Sequence, residues 1–329
     1  MKRLLPDTFT WLLIGAVILA SLLPISGEPA EWFGVATSIA IALLFFLHGA
    51  RLSTDVVIAG FLHWRLQLFI LVTTFVVFPL LGLGLGVFSP WLIDQPIYLG
   101  LLFLCVLPST VQSSIAFTSI AGGNVPAAIC AASTSNILGI FLTPVLVALL
   151  FSTGGEVGIS FDMIWKIMLQ LFLTFVAGQL LQPFIGNWIR SKKTLLTPFD
   201  RGSILMVVYL AFSEAVTEGI WGRLAVEDLA LLVLVDILLL AAVLVVTSVG
   251  GKMLGFNRED RITAVFCGSK KSLASGVPMA SVIFAGQSIG AIVLPLMLFH
   301  QIQLMVCAWL ARVYADRQKA ETAAVTSPR

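Results

Sequence analysis

Charge is what this sequence has least of. Only 11% of its 329 residues are Asp, Glu, Lys or Arg, against about 25% in an ordinary soluble domain. Hydrophobic residues make up 59%, and the mean hydropathy is +1.03. A soluble core of this length does not need so much apolar sequence, so the chain reads as an all-α polytopic membrane protein. Histidine is nearly absent, at three residues. The four cysteines (Cys105, Cys130, Cys267, Cys307) lie inside apolar runs with no C-x-x-C pair, so neither a zinc centre nor a disulfide framework is indicated. No G-x-x-x-x-G-K-[ST] is present, which excludes an ATP-driven pump, and no H-E-x-x-H, which excludes a zinc intramembrane protease. "GLGLG" (82–86) lacks the strand–helix unit of a nucleotide site and reads as small residues that let helices approach. No alternation over ten-residue stretches suggests a β-barrel. No enzyme activity, metal, cofactor or nucleic-acid partner is expected.

What is present is a series of apolar segments. A helix needs about 20 residues to cross a hydrocarbon core of ~30 Å. Ten segments qualify: 9–25, 32–50, 66–88, 97–120, 125–151, 163–187, 202–221, 229–250, 262–285 and 289–312. Lys2 and Arg3 before the first resemble a signal peptide, but no A-x-A-like site follows, so the segment reads as a retained span. With the N-terminus inside, the connections on that side hold fifteen of the 19 basic residues, the other side only Lys166 and Arg223, and Lys270 and Lys271 fall within a span. The positive-inside rule then places both termini in the cytoplasm of a bacterial cell, with the chain in its inner membrane. Residues 1–315 form one transmembrane domain, and 316–329 form a polar, disordered cytoplasmic tail. "AGGN" (121–124) is a tight turn, with Asn124 the N-cap and Pro126 in the first turn of span 5.

Ten spans divide into two sets of five, about 9–151 and 163–312, which an odd count makes antiparallel. Inverted repeats of this kind are a common plan for secondary transporters. "IAGGNVPAAI" (120–129) and "FAGQSIGAIV" (284–293) stand at corresponding places. The spans before them are unusual. Span 4 has Pro108 followed by Ser109, Thr110, Gln112, Ser113 and Ser114, and span 9 reads "CGSKKSLASGVPMAS", with Gly268, Gly276 and Pro278. Such residues loosen or break a helix. Broken backbone at membrane depth is tolerated only where protein covers it or where it lines a cavity. One such span reads as a packed kink; two matched ones read as a transporter's binding site.

At these residues the sequence resembles the bile acid:sodium symporter family, solute carrier family 10, in its YfeH-like bacterial branch related to the seventh human member. The segments that carry the likeness are "LLFFLHGARLS" (43–53), "LPSTVQSSIAFTSIAGGNVPAA" (107–128), "VFCGSKKSLASGVPMA" (265–280) and "LPLMLFHQIQLMVCAWLARVY" (294–314). The resemblance implies a core of spans 3–5 and 8–10, in which spans 4 and 9 cross at their breaks, and a panel of spans 1, 2, 6 and 7. It also marks departures. Ser114 matches a family serine, but Ile115 takes the asparagine beside it. Ala128 and Ala132 stand where family hydroxyls fall, and Cys267 stands at the sodium-binding glutamate. Lys270 and Lys271 replace neighbouring Met and Gln. Sodium needs oxygen ligands, which an ammonium cannot offer, so the family's sodium ligands are largely absent.

Two lysines in mid-span demand an explanation, because each costs about 2.5–3.5 kcal/mol at the bilayer centre on insertion scales. Helix-end snorkelling does not serve both at once. One of them is expected to take the place of sodium as a tethered cation, with proton release as an alternative coupling step. Asp236 in span 8 is the candidate partner, and Glu214 in span 7 faces either the cavity or the outer surface. The expected substrate or ion site is Gln112, Ser113, Ser114, Ser133, Ser135, Asn136, Ser269, Lys270, Lys271 and Ser272. His48 and His300 read as interfacial or packed. The sequence therefore reads as a secondary active transporter of a small organic solute, an anion, by alternating access; a non-transporting regulatory membrane protein on the same fold is the alternative. Substrate, coupling ion and oligomeric state stay open.

Overall fold

The structure, a computed structural model, describes residues 8–51, 63–88, 94–151, 161–217, 219, 226–284 and 289–326. The described residues are helical, with no strand among them. Twelve helices are described: α1 (Thr8–Leu22), α2 (Glu28–Arg51), α3 (Trp64–Leu85), α4 (Gln95–Val106), α5 (Gln112–Ile120), α6 (Val125–Phe151), α7 (Phe161–Ser191), α8 (Lys193–Thr217), α9 (Val226–Met253), α10 (Arg258–Gly268), α11 (Leu273–Ile283) and α12 (Ile289–Thr326). Five stretches are long and apolar enough to cross a membrane: α2, α3, α6, Glu227–Met253 of α9 and Ile289–Gln318 of α12. Leucine, valine and aromatic side chains such as Leu80, Leu149, Leu180, Phe184 and Val245 face outward and are well exposed. An outer surface this apolar fits lipid, not water.

Local chemistry explains the boundaries. The turn at 121–124 forms as expected: Gly122 adopts φ +72°, and Asn124 Oδ1 accepts the Ala127 N–H at 3.1 Å to cap α6. Asn257 caps α10 in the same way, accepting from the Asp260 N–H at 2.8 Å. The two caps are joined, because Asn124 Nδ2 donates to Asp260 Oδ1 at 2.8 Å. One expectation fails at the C-terminus. Residues 315–326, expected to be disordered, continue α12 as far as Thr326, and 327–329 lie outside the described residues. "ADRQKAETAA" is polar but rich in strong helix formers, so the helix continues past the apolar run.

Inside α3, Thr73–Val77 forms a π turn. The Phe78 N–H bonds to Thr73 O, five residues back. The next donor in that register would be Pro79, which has no N–H. The carbonyl of Thr74 is therefore left without a backbone partner.

Packing sorts the helices. α1 lies on α8, and α2 lies on α7 and α8. α4 packs on α12 and α3, while α9 packs on α10 and α12. At the α2–α7 crossing the backbones lie close together: a Cβ on Gly49 would overlap the Phe175 carbonyl, and one on Gly178 the Phe46 carbonyl. Small residues at a crossing let backbones approach and gain dispersion contacts, which is how helices associate without a hydrophobic drive in lipid.

Candidate functional site

Spans 4 and 9 of the sequence reading are both broken. α4 ends at Val106, and five residues of irregular chain precede α5. α10 ends at Gly268, and four precede α11. The two breaks touch. Ser109 Oγ donates to Cys267 O at 2.6 Å, and the Ser272 N–H donates to Pro108 O at 2.9 Å.

A helix end buried in apolar surroundings must find partners for its last carbonyls, and here five consecutive ones do. Cys105 O and Leu107 O accept from Lys271 Nζ, each at 2.7 Å. Val106 O accepts from Thr143 Oγ1 at 2.8 Å, Pro108 O from Ser272, and Ser109 O from Asn136 Nδ2 at 2.7 Å. The Ser109 N–H, which would have closed the helical bond to Cys105 O, donates instead to Ser135 Oγ at 3.0 Å. Asn136 spans both breaks, because its Oδ1 accepts from Ser275 Oγ at 2.7 Å. Ser272 caps α11, accepting from the Ser275 N–H at 3.2 Å. Gly139 lets Pro108 lie directly against α6.

A cavity of about 730 Å³ reaches this junction. One wall comes from α1, α2, α7 and α8, the other from the breaks, α5, α6, α11 and α12. Its polar lining includes Thr110, Gln112, Ser113, Ser133, Asn136, Ser272, Ser275, His48 and His300. Where α2 ends and α8 begins, Arg51 pairs with Asp200 at 2.5 Å and Arg201 also lines the cavity. His48 Nδ1 donates to Leu44 O at 2.8 Å. The rest of the wall is apolar, with Phe45, Ile140, Phe175 and Met279 among its residues.

The sequence-predicted residues thus divide. Gln112, Ser113, Ser133, Asn136 and Ser272 line the cavity. Ser114, Ser135, Ser269, Lys270 and Lys271 do not; all five are fully buried behind it. Ser114 bonds with Thr110 at 2.9 Å, and Ser269 Oγ donates to Val265 O at 2.6 Å, so both are satisfied locally. Glu214 is half-buried in α8 and does not line the cavity. Asp236 is fully buried in α9, and neither of its oxygens has a hydrogen-bond partner among the described residues. It pairs with neither lysine. Lys271 is already saturated: its Nζ donates to Thr74 O at 2.8 Å as well as to Cys105 and Leu107, with the Phe78 ring centroid 4.1 Å away. Lys270 turns to the rings of Phe117 and Phe266, at 4.0 and 5.6 Å, and makes no hydrogen bond through Nζ. The sequence reading missed the cavity roles of Arg51, Asp200, Arg201 and Ser275. Arg51 and Arg201 were visible only as cytoplasmic charges, because Arg51 and Asp200 are 149 residues apart.

The sequence pattern of the SBF-like CPA transporter family covers residues 7–316. The chain belongs to that family. It is 56% identical to an uncharacterized Pseudomonas aeruginosa protein over 98% of this chain and 97% of that one. It is 53% identical to Escherichia coli YfeH, named as a candidate symporter, over 94% of this chain and 92% of the other. Sodium/bile acid cotransporter 7 of Rattus norvegicus is 30% identical over 89% of this chain and 87% of its own. The chain is thus a member of a transporter family rather than an enzyme. Among its described residues no group of three His, Cys, Asp or Glu is placed to hold a metal ion.

Of the positions that the resemblance assigns around sodium, only Ser114 keeps a side-chain oxygen, and that hydroxyl is buried and bonded to Thr110. Ile115, Ala128 and Cys267 pack into one apolar cluster with Leu66, Ile70 and Ala264, and Ala132 is buried as well. Those residues do not fit a sodium ion.

Proposed function

We propose that the chain is a secondary transporter that carries a small organic anion across the bacterial cytoplasmic membrane by alternating access, without sodium as the coupling ion. The observation that carries the reading is the cavity between two helix groups, ending where two broken helices meet. Its volume is in the range of small-molecule sites. Residues of the first turns of α5 and α11 line it, so the positive ends of both half-helices face the solute. At the mouth Arg51 is paired with Asp200, and Arg201 adds one net positive charge, which favours an anion. In this reading α4 with α5 and α10 with α11 each make one span, giving ten spans in two inverted repeats. The panel is α1, α2, α7 and α8, and the core is the remainder. Both termini are cytoplasmic, which turns the Arg51 end of the cavity to the cytoplasm and makes this an inward-facing state.

The test is a thermal-stability screen of the purified protein against organic anions, in sodium and in choline salts and at several pH values. At least one anion is expected to stabilise the protein equally in both salts, and the pH series tests a proton as the coupling ion. Gln112→Leu, a change at an exposed cavity residue, is expected to remove that response while leaving the unliganded melting temperature unchanged. An unchanged response takes Gln112 out of the site. No response to any anion favours the regulatory, non-transporting alternative. The topology has its own check. A cysteine placed at Ser327 is expected to react with an impermeant thiol reagent only after the cytoplasmic face is opened, and labelling of intact spheroplasts would reverse the orientation.

A further inference from the structure

Lys271 sits in surroundings of a particular kind. An ammonium group has three N–H donors, and all three are used, on Thr74 O, Cys105 O and Leu107 O at 2.7–2.8 Å. The face of Phe78 lies 4.1 Å away, close enough for a cation–π contact. None of these acceptors is carboxylate. We propose that these three carbonyls and the Phe78 ring form a monovalent-cation site in its own right, whose resident ion is the covalently attached ammonium of Lys271.

The oxygens are placed by the backbone rather than by the lysine. Thr74 O is freed by the π turn and by Pro79, which has no N–H to return. Cys105 O is freed because the Ser109 N–H goes to Ser135, and Leu107 O lies beyond the last turn of α4. The negative end of the α4 dipole points the same way. Remove the side chain and the oxygens remain, unpartnered and converging. Oxygens in that arrangement bind a small cation. Ammonium or methylammonium reproduces the donor geometry; a quaternary ammonium has no N–H to give; and a divalent ion finds no negative charge to balance it. Lys270 is the internal contrast. It is equally buried, but it faces two rings and has no carbonyl on its Nζ. The backbone of Lys271 is also fixed, with its N–H on Gln303 Oε1 at 2.9 Å and its carbonyl on Gln303 Nε2 at 2.8 Å. Gln303 Nε2 lies 2.9 Å from Nδ1 of His300, which lines the cavity. The site therefore stands one residue removed from the solute's wall, yet its existence does not depend on which solute is carried.

The experiment uses the full chain with Lys271→Ala, Lys270→Ala or no change, extracted and purified in parallel in ammonium, methylammonium or choline chloride. In choline, Lys271→Ala is expected to melt several degrees below the unmodified protein. Ammonium or methylammonium is expected to restore at least half of that loss, in a saturable way. The unmodified protein and Lys270→Ala are expected to show no such dependence. A Lys271→Ala protein that survives extraction only in ammonium supports the site equally. The proposal is overturned if choline restores as much as ammonium, if Lys270→Ala gains as much, if Lys271→Ala is indifferent to the cation, or if it is unfolded in every salt. Because the readout is stability without any solute, its failure leaves the transport reading standing, and the reverse also holds.

Discussion

Asn136→Leu is expected to destabilise the protein by about 2–4 kcal/mol and to abolish any solute-dependent stabilisation. The size follows from what its amide holds. Nδ2 donates to Ser109 O at 2.7 Å on the first break, and Oδ1 accepts from Ser275 Oγ at 2.7 Å on the second. Leucine has the same number of side-chain heavy atoms, branched at the same carbon, but offers neither bond. Each buried polar group left unsatisfied costs about 1–3 kcal/mol. Ser109 O loses this donor, and Ser275 Oγ must turn to Ser272, 3.1 Å away. Because Asn136 also lines the cavity, the loss reaches the site as well as the scaffold. Unfolding of the reconstituted protein measures the first effect, and the anion screen measures the second. In a double-mutant cycle with Ser275→Ala the two losses are expected to be less than additive, since one hydrogen bond is counted in both. A leucine variant of full stability would mean that the two breaks are held together without Asn136.

Gly178→Val is expected to prevent accumulation of folded protein. A Cβ there would overlap the carbonyl of Phe46, and the reciprocal change at Gly49 would overlap that of Phe175. The obstacle is backbone on both sides, so no rotamer change relieves it, and α2 must move away from α7. Losses beyond about 4–5 kcal/mol come from a short list of mechanisms, and overpacking of this kind is among them. Both helices line the cavity, through Leu44, Phe45, His48 and Arg51 on α2 and Phe175 and Ile189 on α7, so any protein that does form is expected to have a distorted wall. Gly15→Ala is the control. A Cβ at Gly15 meets nothing within 4 Å, and alanine in an exposed helix is more stable than glycine by up to about 1 kcal/mol. Its yield and melting temperature are therefore expected to equal or exceed those of the unmodified protein. Normal expression of Gly178→Val would show that this crossing is looser than the structure places it.

Much of the site was legible because broken helices announce themselves. Pro108 with its run of hydroxyl and amide residues, and Gly268 to Pro278 around two lysines, are compositions a packed membrane helix does not need. Their meaning is local, so a reading of the chain could place the breaks and the turn at Asn124. What such a reading could not see was direction. It put ten side chains in one site, and only five face the cavity. Ser114, Ser135 and Ser269 are as polar as their neighbours, but their turn of helix points them into the core. Nor could it pair Lys271 with acceptors, because a backbone carbonyl leaves no mark in composition. It therefore named Asp236, the one acid it could see in span 8.

The amino-acid sequence by itself determined that this chain is a helical membrane protein and where two of its helices fail. Apolar run length and proline chemistry act within a few residues and need no partner. Only the tertiary structure decided what the failures are for. Five orphaned carbonyls of one broken helix are shared among two lysine bonds, a threonine, an asparagine and the backbone of the other break. Those partners come from helices far apart in the chain. In a low-dielectric interior an unpaired carbonyl is costly wherever it lies, and the fold settles which distant group relieves it.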